Sequence, residues 1–90
     1  MNKLEQNMVA AVNGGYNWKQ GNTEVKVNDG VTIVLLHGNE IFRKTPTGAT
    51  YSDAGWPTKT TASRLRALGA NITLHPNYSD PQRGRIIFND

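Results

Sequence analysis

An almost continuous apolar run occupies Val31-Thr32-Ile33-Val34-Leu35-Leu36 and decides the fold. Turn-forming residues border it on both sides, with Asn28-Asp29-Gly30 before it and Gly38-Asn39 after it. Such residues supply the positive φ angles of tight hairpin turns, so the run is predicted to be the central strand of an antiparallel sheet. Because alternate side chains of a strand point to opposite faces, this strand is apolar on both. Two short helices and the C-terminal segment either cover both faces or leave one as an interface.

Further strands are predicted on both sides of the central one. Over residues 23–27, Thr and Val alternate with Glu and Lys, which is typical of a strand with one buried and one solvent-exposed face. Beyond the second turn, Ile41 and Phe42 belong to the next strand, and Pro46-Thr47-Gly48 supplies a third turn. The sequence therefore predicts a meander of three or four antiparallel strands that ends near Tyr51.

An amphipathic helix is predicted over residues 3–13, ahead of the sheet. Asn2 can cap its start and Gly14-Gly15 can end it. Its apolar residues recur at helical spacing and should face the sheet; they are Leu4, Met8, Val9 and Val12. A loop that contains Tyr16 and Trp18 is predicted between this helix and the first strand.

A second short helix is predicted after Trp56-Pro57, with Thr58 or Thr60 as its cap and Gly69 at its end. The helical spacing predicts a buried stripe of Thr61, Leu65 and Leu68. At about 100° per residue, Arg64 and Arg66 flank Leu65 on opposite sides, so both are expected outside that stripe, with Arg66 further from the core.

The C-terminal segment is predicted to form a final hairpin. Ile72 and Leu74 alternate with polar residues, a loop rich in Pro, Asn, Ser and Asp follows over residues 76–81, and Ile86-Ile87-Phe88 forms the second arm. The predicted fold is one α+β domain over residues 1–90, an antiparallel meander sheet with two short helices. Its element order is α-β-β-β(-β)-α-β-β.

Composition excludes several classes of protein. The chain has 90 residues, 37% of them hydrophobic, and no cysteine. A disulfide framework, a thiolate nucleophile and a cysteine zinc site are thereby excluded. The sequence has no apolar run near the roughly 20 residues that cross a bilayer, and the first residues lack the apolar core of a secretory signal. A cytoplasmic protein with no membrane contact is expected.

Catalytic and metal-binding patterns are weak. His37 lies near Glu40 and His75 near Asp80, but a tight metal site needs three or more convergent ligands. The serines at positions 52, 63 and 79 lie in no Gly-x-Ser-x-Gly elbow, and the glycines form no phosphate-binding loop. The protein is predicted to be no enzyme and to have no metal and no cofactor.

Charge is distributed unevenly along the chain. Residues 1–40 contain three Lys against four acidic residues, whereas residues 41–90 contain seven Lys and Arg against three Asp. A basic half suits an anionic partner, either nucleic acid or an acidic protein surface, although a solvated surface gives the same pattern. The predicted partner-binding residues are Trp56, Lys59, Arg64, Arg66, Arg83 and Arg85.

The start of the second helix has two interpretations. Hydroxyls, the Lys59 ammonium and free backbone N–H groups can hold a phosphate there, or Thr58 simply caps the helix. Trp56 is either a packing residue or the anchor of a protein interface, and tryptophan beside cations is common at interface hot spots.

Three motifs resemble those of a family of small bacteriophage proteins. They are Asn22-Thr23, Leu36-His37-Gly38-Asn39-Glu40-Ile41 and the segment 55–65, which reads Gly-Trp-Pro-Thr-Lys-Thr-Thr-Ala-Ser-Arg-Leu. The resemblance covers roughly residues 13–74. It departs from the family pattern at Arg66, where Asn is common, and at residues 83–85, where a Trp-containing strand is common.

The resemblance implies a class of function but no activity that transfers residue by residue. Small phage accessory proteins without catalytic residues commonly bind and disable a host protein or ribonucleoprotein complex. An anti-defence inhibitor of the anti-CRISPR kind, acting in the host cytoplasm, is therefore expected. The alternative is a small basic protein that binds nucleic acid, and a sheet face that stays uncovered would be a homodimer or partner interface.

Overall fold

Two helices and seven strands are present in the part of the chain that the structure describes. This computed structural model describes residues 1–77 and 79–89, with side chains for all of them except 81–83. The helices are α1 (Lys3–Gly14) and α2 (Lys59–Ala67). The strands are β1 (Trp18–Gln20), β2 (Thr23–Asn28), β3 (Val31–Leu36), β4 (Asn39–Thr45), β5 (Gly48–Tyr51), β6 (Ile72–Asn77) and β7 (Asp80–Phe88). The α+β class is confirmed, with the order α-β-β-β-β-β-α-β-β.

Strands β1 to β5 form one antiparallel sheet in the order of the chain, with β3 at its centre. The β2–β3 turn is the predicted one, because Asp29 and Gly30 have φ of 49° and 79°. The next turn is centred on His37 and Gly38, with φ of 51° and 78°, so the predicted Gly38-Asn39 turn is wrong by one residue. Histidine tolerates this left-handed conformation better than most residues, which frees Asn39 to pair with Leu36 as the first residue of β4.

The three-residue strand β1 was predicted as loop. Its pairing with β2 places Trp18 opposite Val25, on the face that packs against the helices. The Asn17 side chain supports this edge, since its Oδ1 accepts a hydrogen bond from the backbone N–H of Val27 at 2.8 Å. A strand of three residues is too short for an alternating pattern to reveal it.

A β-bulge in β4 lets two consecutive side chains enter the core. Val34 pairs with Phe42 and Leu35 pairs with Glu40, so Ile41 is an extra residue on its strand. Both Ile41 and Phe42 are buried in consequence. Without a bulge, neighbouring residues would point to opposite faces of the sheet.

Helix α1 begins and ends as predicted. Asn2 is the N-cap: its side chain accepts a hydrogen bond from the N–H of Glu5 at 2.8 Å, and the Glu5 side chain accepts one from the Asn2 N–H in return. At the other end, Gly15 adopts the left-handed conformation with φ of 70°. This reciprocal capping box satisfies two N–H groups and fixes where the helix begins.

The core lies on one face of the sheet. Helix α1 contributes Met8, Ala11 and Val12, and α2 contributes Ala62 and Leu65. They pack with side chains of the sheet and hairpin, which are Val25, Val34, Leu36, Ile41, Phe42, Ile72 and Ile86. The other face of β3 is not part of this core, and its aliphatic side chains stay partly exposed. Of the two arrangements that the sequence allowed, the structure has the one with an uncovered face.

Strands β6 and β7 form a separate two-stranded sheet that packs against α2. The hairpin is confirmed, but the predicted loop over residues 76–81 is mostly strand, because β6 extends to Asn77 and β7 begins at Asp80. Pro76 fits there because the register shifts between His75 and Asn77, where a ladder N–H is not needed. At this irregularity the Gly84 N–H bonds to the carbonyl of Pro57 at 2.8 Å and ties the hairpin to the segment before α2.

Candidate binding cleft

The segment that leads into α2 is held by backbone hydrogen bonds. The N–H of Trp56 bonds to the carbonyl of Asp53 at 2.9 Å, and that of Thr58 bonds to the carbonyl of Trp56 at 2.8 Å. Thr58 is the N-cap of α2, because its side-chain oxygen accepts the N–H of Thr61 at 3.1 Å. One of the two predicted caps is thus confirmed, and the segment is a fixed turn that presents Trp56 outward.

Trp56 borders a cleft of about 810 Å³. The tryptophan is 54% exposed, which is more than Tyr16 at 49% or Phe88 at 43%. Apolar groups of β3, β4 and the segment before α2 form much of the lining. The residues that define this Trp56 cleft are Leu36, His37, Asn39, Ile41, Asp53, Ala54, Trp56, Thr58, Lys59, Thr60, Thr61 and Asp80.

The Trp56 cleft carries charges of both signs. Lys59 contributes an ammonium group, whereas Asp53 and Asp80 contribute carboxylates. One oxygen of Asp53 accepts the N–H of Gly55 at 2.8 Å, which shapes the turn before Trp56. Two carboxylates beside the start of α2 oppose a phosphate there, because like charges repel in a partly desolvated site. The cleft is better suited to a neutral or basic group than to a phosphate.

Arg64 is buried, which corrects the prediction that it lies outside the buried stripe of α2. Only 7% of the residue is exposed. Its Nη1 donates to Oε2 of Glu5 at 2.8 Å and its Nε donates to Oγ1 of Thr23 at 3.1 Å. The Ser63 hydroxyl donates to the same Glu5 oxygen at 2.5 Å. This buried polar cluster joins α1, α2 and β2, so Arg64 is unavailable to a partner in this fold.

The other predicted cations do not converge on one site. Lys59 lies at the Trp56 cleft, and Arg66 is exposed in the last turn of α2. Arg85 is exposed on β7 and lines a different groove, of about 440 Å³, with residues of β6. The side chain of Arg83 lies outside the described residues. Of the five predicted residues whose side chains the structure describes, only Trp56 and Lys59 come together.

Several residues of the Trp56 cleft were not singled out from the sequence as partner contacts. Asp53 precedes Trp56 by three residues, and this proximity was the one available signal. Leu36 and Ile41 reach the cleft from the β3–β4 turn, which only the folded chain reveals. His37 also lines the cleft. Glu40, which lies near His37 in the sequence, instead bonds to Arg43 at 2.7 Å. Among the described residues, no three His, Asp or Glu side chains form a group that could hold a metal.

A family model, described as Kyanoviridae Gp96 protein, matches residues 1–80. The chain belongs to this family. Its members are small phage proteins, so the resemblance to a phage family is confirmed. Neither a curated protein nor a solved structure gives a significant match to the chain. None of the described helices has the length and apolar character to span a bilayer.

The family match covers the whole Trp56 cleft. It runs from α1 through β6 and reaches Asp80, which is the last residue of the cleft lining. Arg83 and Arg85 lie beyond it. The matched part of the chain therefore contains the cleft but not the basic residues of β7.

The buried pair of Glu5 and Arg64 predicts a pH dependence of stability. Burial raises the pKa of Glu5, but hydrogen bonds from Ser63, Arg64 and the Asn2 backbone, with the Arg64 charge, outweigh it and hold this pKa below its ordinary value. The unfolded pKa is about 4.3. Since the folded pKa is lower, the carboxylate stabilises the fold above the unfolded pKa, and this contribution is lost as the pH falls through the folded value.

Urea unfolding between neutral and acidic pH measures that contribution. Glu5→Gln should be less stable than the wild type at neutral pH, and the difference should shrink as the pH falls below about 5. If the free energies of unfolding of Glu5→Gln and the wild type differ by the same amount at every pH, this pH dependence does not come from Glu5.

Proposed function

We propose that this chain is a non-enzymatic phage accessory protein that binds a host protein through the Trp56 cleft. The observation that carries the proposal is Trp56 itself, a large aromatic side chain 54% exposed beside an apolar-lined cleft. Tryptophan next to a concave apolar surface is the typical anchor of a protein interface, because it buries a large area at little cost in side-chain entropy. The volume of the cleft lies within the usual range for binding pockets.

A protein partner fits the charges better than nucleic acid does. Nucleic-acid binding depends on several cations that contact successive phosphates. Arg64 is engaged with Glu5 inside the fold, and Lys59 shares its cleft with Asp53 and Asp80. Among the described residues, Arg64 is thus not available to a phosphate and Lys59 does not lie in a purely basic setting.

Inhibition of a host defence complex in the host cytoplasm is the specific role that we propose for this binding. Membership of a phage family supports a role during infection. A small protein with an apolar-lined cleft and an exposed tryptophan beside it has the means to occupy a surface of a larger protein and block it, without any chemistry of its own. A ribonucleoprotein complex is included among the targets, provided that its protein surface is what the cleft holds.

The experiment is a pull-down of the tagged protein from host lysate, with and without nuclease, followed by mass spectrometry. We expect a stoichiometric host protein that stays bound after nuclease treatment and in raised salt. Capture that disappears with nuclease would overturn the proposal in favour of a nucleic-acid-binding protein. Direct phosphate contacts would also reveal themselves by salt, because several of them lower affinity by about a thousandfold or more between 50 and 200 mM.

A further inference from the structure

The face of the large sheet that points away from both helices carries an aliphatic ridge. Val31, Ile33 and Leu35 form this ridge on the central strand, and each is partly exposed. None of the three belongs to the core cluster or packs against it. We call this the open face; in the described part of the chain, the buried stripes of α1 and α2 both lie on the opposite side.

Charged residues of β2 and β4 flank the aliphatic ridge in two rows of opposite sign. Strand pairing places Glu24 and Glu40 on either side of Leu35. In the neighbouring row, two residues along β3, pairing places Lys26 and Arg43 on either side of Ile33. Paired residues of an antiparallel ladder point to the same face, so each row has an aliphatic centre with two like charges beside it. Over β2, β3 and β4 the pattern reads acidic, apolar, acidic and then basic, apolar, basic, and Lys19 of β1 pairs with Glu24 at the outer edge of the acidic row.

This pattern is complementary to itself under one kind of two-fold rotation. Consider an axis that lies parallel to the sheet, runs across its strands and passes between the two rows. The rotation keeps each strand over its own copy but reverses its direction, so the acidic row of one copy faces the basic row of the other. Glu24 then faces Lys26 of the second copy, Glu40 faces Arg43, and Leu35 faces Ile33.

We propose that the open face binds a second copy of this chain and forms a two-fold symmetric, sheet-on-sheet dimer. A two-fold interface must be self-complementary, because each patch meets itself, and the open face meets this condition in both charge and hydrophobicity. Facing sheets pack about 10 Å apart with the aliphatic side chains interdigitated, which buries the ridge that the helices leave uncovered.

The existing ion pair on this face is compatible with the dimer. Arg43 and Glu40 bond to each other at 2.7 Å within one chain, and their side chains are 47% and 39% exposed. A guanidinium has five N–H donors, so Arg43 can keep this bond and also meet Glu40 of the second copy. The Trp56 cleft lies on the helix side of the sheet, because it includes the core residues Leu36 and Ile41, and stays open in both copies.

Complementary charge reversals test the dimer by analytical ultracentrifugation. The wild type should be a dimer. Glu24→Lys brings lysine against lysine at two symmetric places, and Lys26→Glu brings glutamate against glutamate, so each should weaken the dimer about tenfold or more. An equimolar mixture of the two variants should restore association as a heterodimer, because every Lys then faces a Glu. The double variant Glu24→Lys/Lys26→Glu should form its own homodimer for the same reason.

The mixture separates interface effects from folding defects, since a misfolded variant would not be rescued by its counterpart. Thermal unfolding of each variant provides a second control. A wild-type chain that stays monomeric up to about 100 μM, where a micromolar dimer would be largely formed, overturns the proposal. So does a mixture that associates no better than its components. Neither result affects the proposed role of the Trp56 cleft, which does not depend on the dimer.

Discussion

Arg64→Ala is expected to lower the free energy of unfolding by about 3–5 kcal/mol, because it leaves the Glu5 carboxylate buried without its cation. Glu5 is 2% exposed and Arg64 7% exposed, so water cannot replace the lost partner without opening the packing of α1 against α2. Domains of this size are typically stable by about 5–15 kcal/mol, and the loss is a large share of that. Urea unfolding followed by circular dichroism measures it.

Arg66→Ala is the matched control, two positions further along the same helix. Arg66 is exposed, and its substitution should change the free energy of unfolding by no more than about 0.5 kcal/mol. Both substitutions replace Arg with Ala in α2, so helix propensity and net charge change equally. Equal effects of the two would show that the cluster around Arg64 is not what stabilises the fold.

A double-mutant cycle assigns the effect to the pair. Glu5→Ala and Arg64→Ala together should cost less than the sum of the two single substitutions, because the second removes the buried charge that the first left unpaired. Additive costs would mean that Arg64 stabilises mainly through its bond to Thr23 or through packing of its alkyl stem.

The position of Arg64 marks the limit of helical periodicity as a guide to burial. Helical spacing correctly predicted that Thr61 and Leu65 are buried and that Arg66 is exposed. It placed Arg66 further from the core than Arg64 but expected both outside the buried stripe, whereas the Arg64 side of the helix faces α1 and the Arg66 side faces water. Which side a neighbouring helix covers depends on contacts between residues about 60 positions apart, and no local pattern contains them.

Local chemistry predicted the fold well wherever neighbouring residues decide the conformation. The Asn2 cap, the Thr58 cap and the Asp29-Gly30 turn all follow from residues close in sequence. The errors arose where pairing partners decide: the short strand β1 and the one-residue shift of the turn at His37. The lining of the Trp56 cleft belongs to this second class, because it joins β3, β4 and the segment before α2.

The buried pair also changes how the charge of the chain relates to its function. One of the two helix arginines is part of the fold and contributes no surface charge that a partner can reach. The open face holds its charges in rows of both signs, so it too lacks a uniform basic character. What distinguishes the helix side of the molecule is thus an exposed tryptophan beside an apolar-lined cleft.

Trp56→Ala is expected to weaken binding of the host protein captured in the pull-down by about thirtyfold or more. This corresponds to the roughly 2 kcal/mol that defines an interface hot spot. The effect is expected because the indole is a large, exposed apolar side chain at the edge of this cleft. Isothermal titration calorimetry measures the dissociation constant. The free energy of unfolding in urea should change by less than about 1 kcal/mol, because Trp56 is 54% exposed.

Tyr16→Ala provides the control for the loss of an exposed aromatic side chain. Tyr16 is 49% exposed and does not line the Trp56 cleft, so its substitution should leave the dissociation constant within about twofold of the wild type, as expected for a residue outside a hot spot.

Lys59→Ala, inside the cleft, should have an intermediate effect with a modest dependence on salt, because a single exposed cation at an interface acts mainly on the association rate. If Trp56→Ala binds as tightly as Tyr16→Ala, the cleft is not the binding site. If Lys59→Ala weakens binding more than Trp56→Ala does, and this effect vanishes in high salt, the interaction is mainly electrostatic, as expected for nucleic-acid binding.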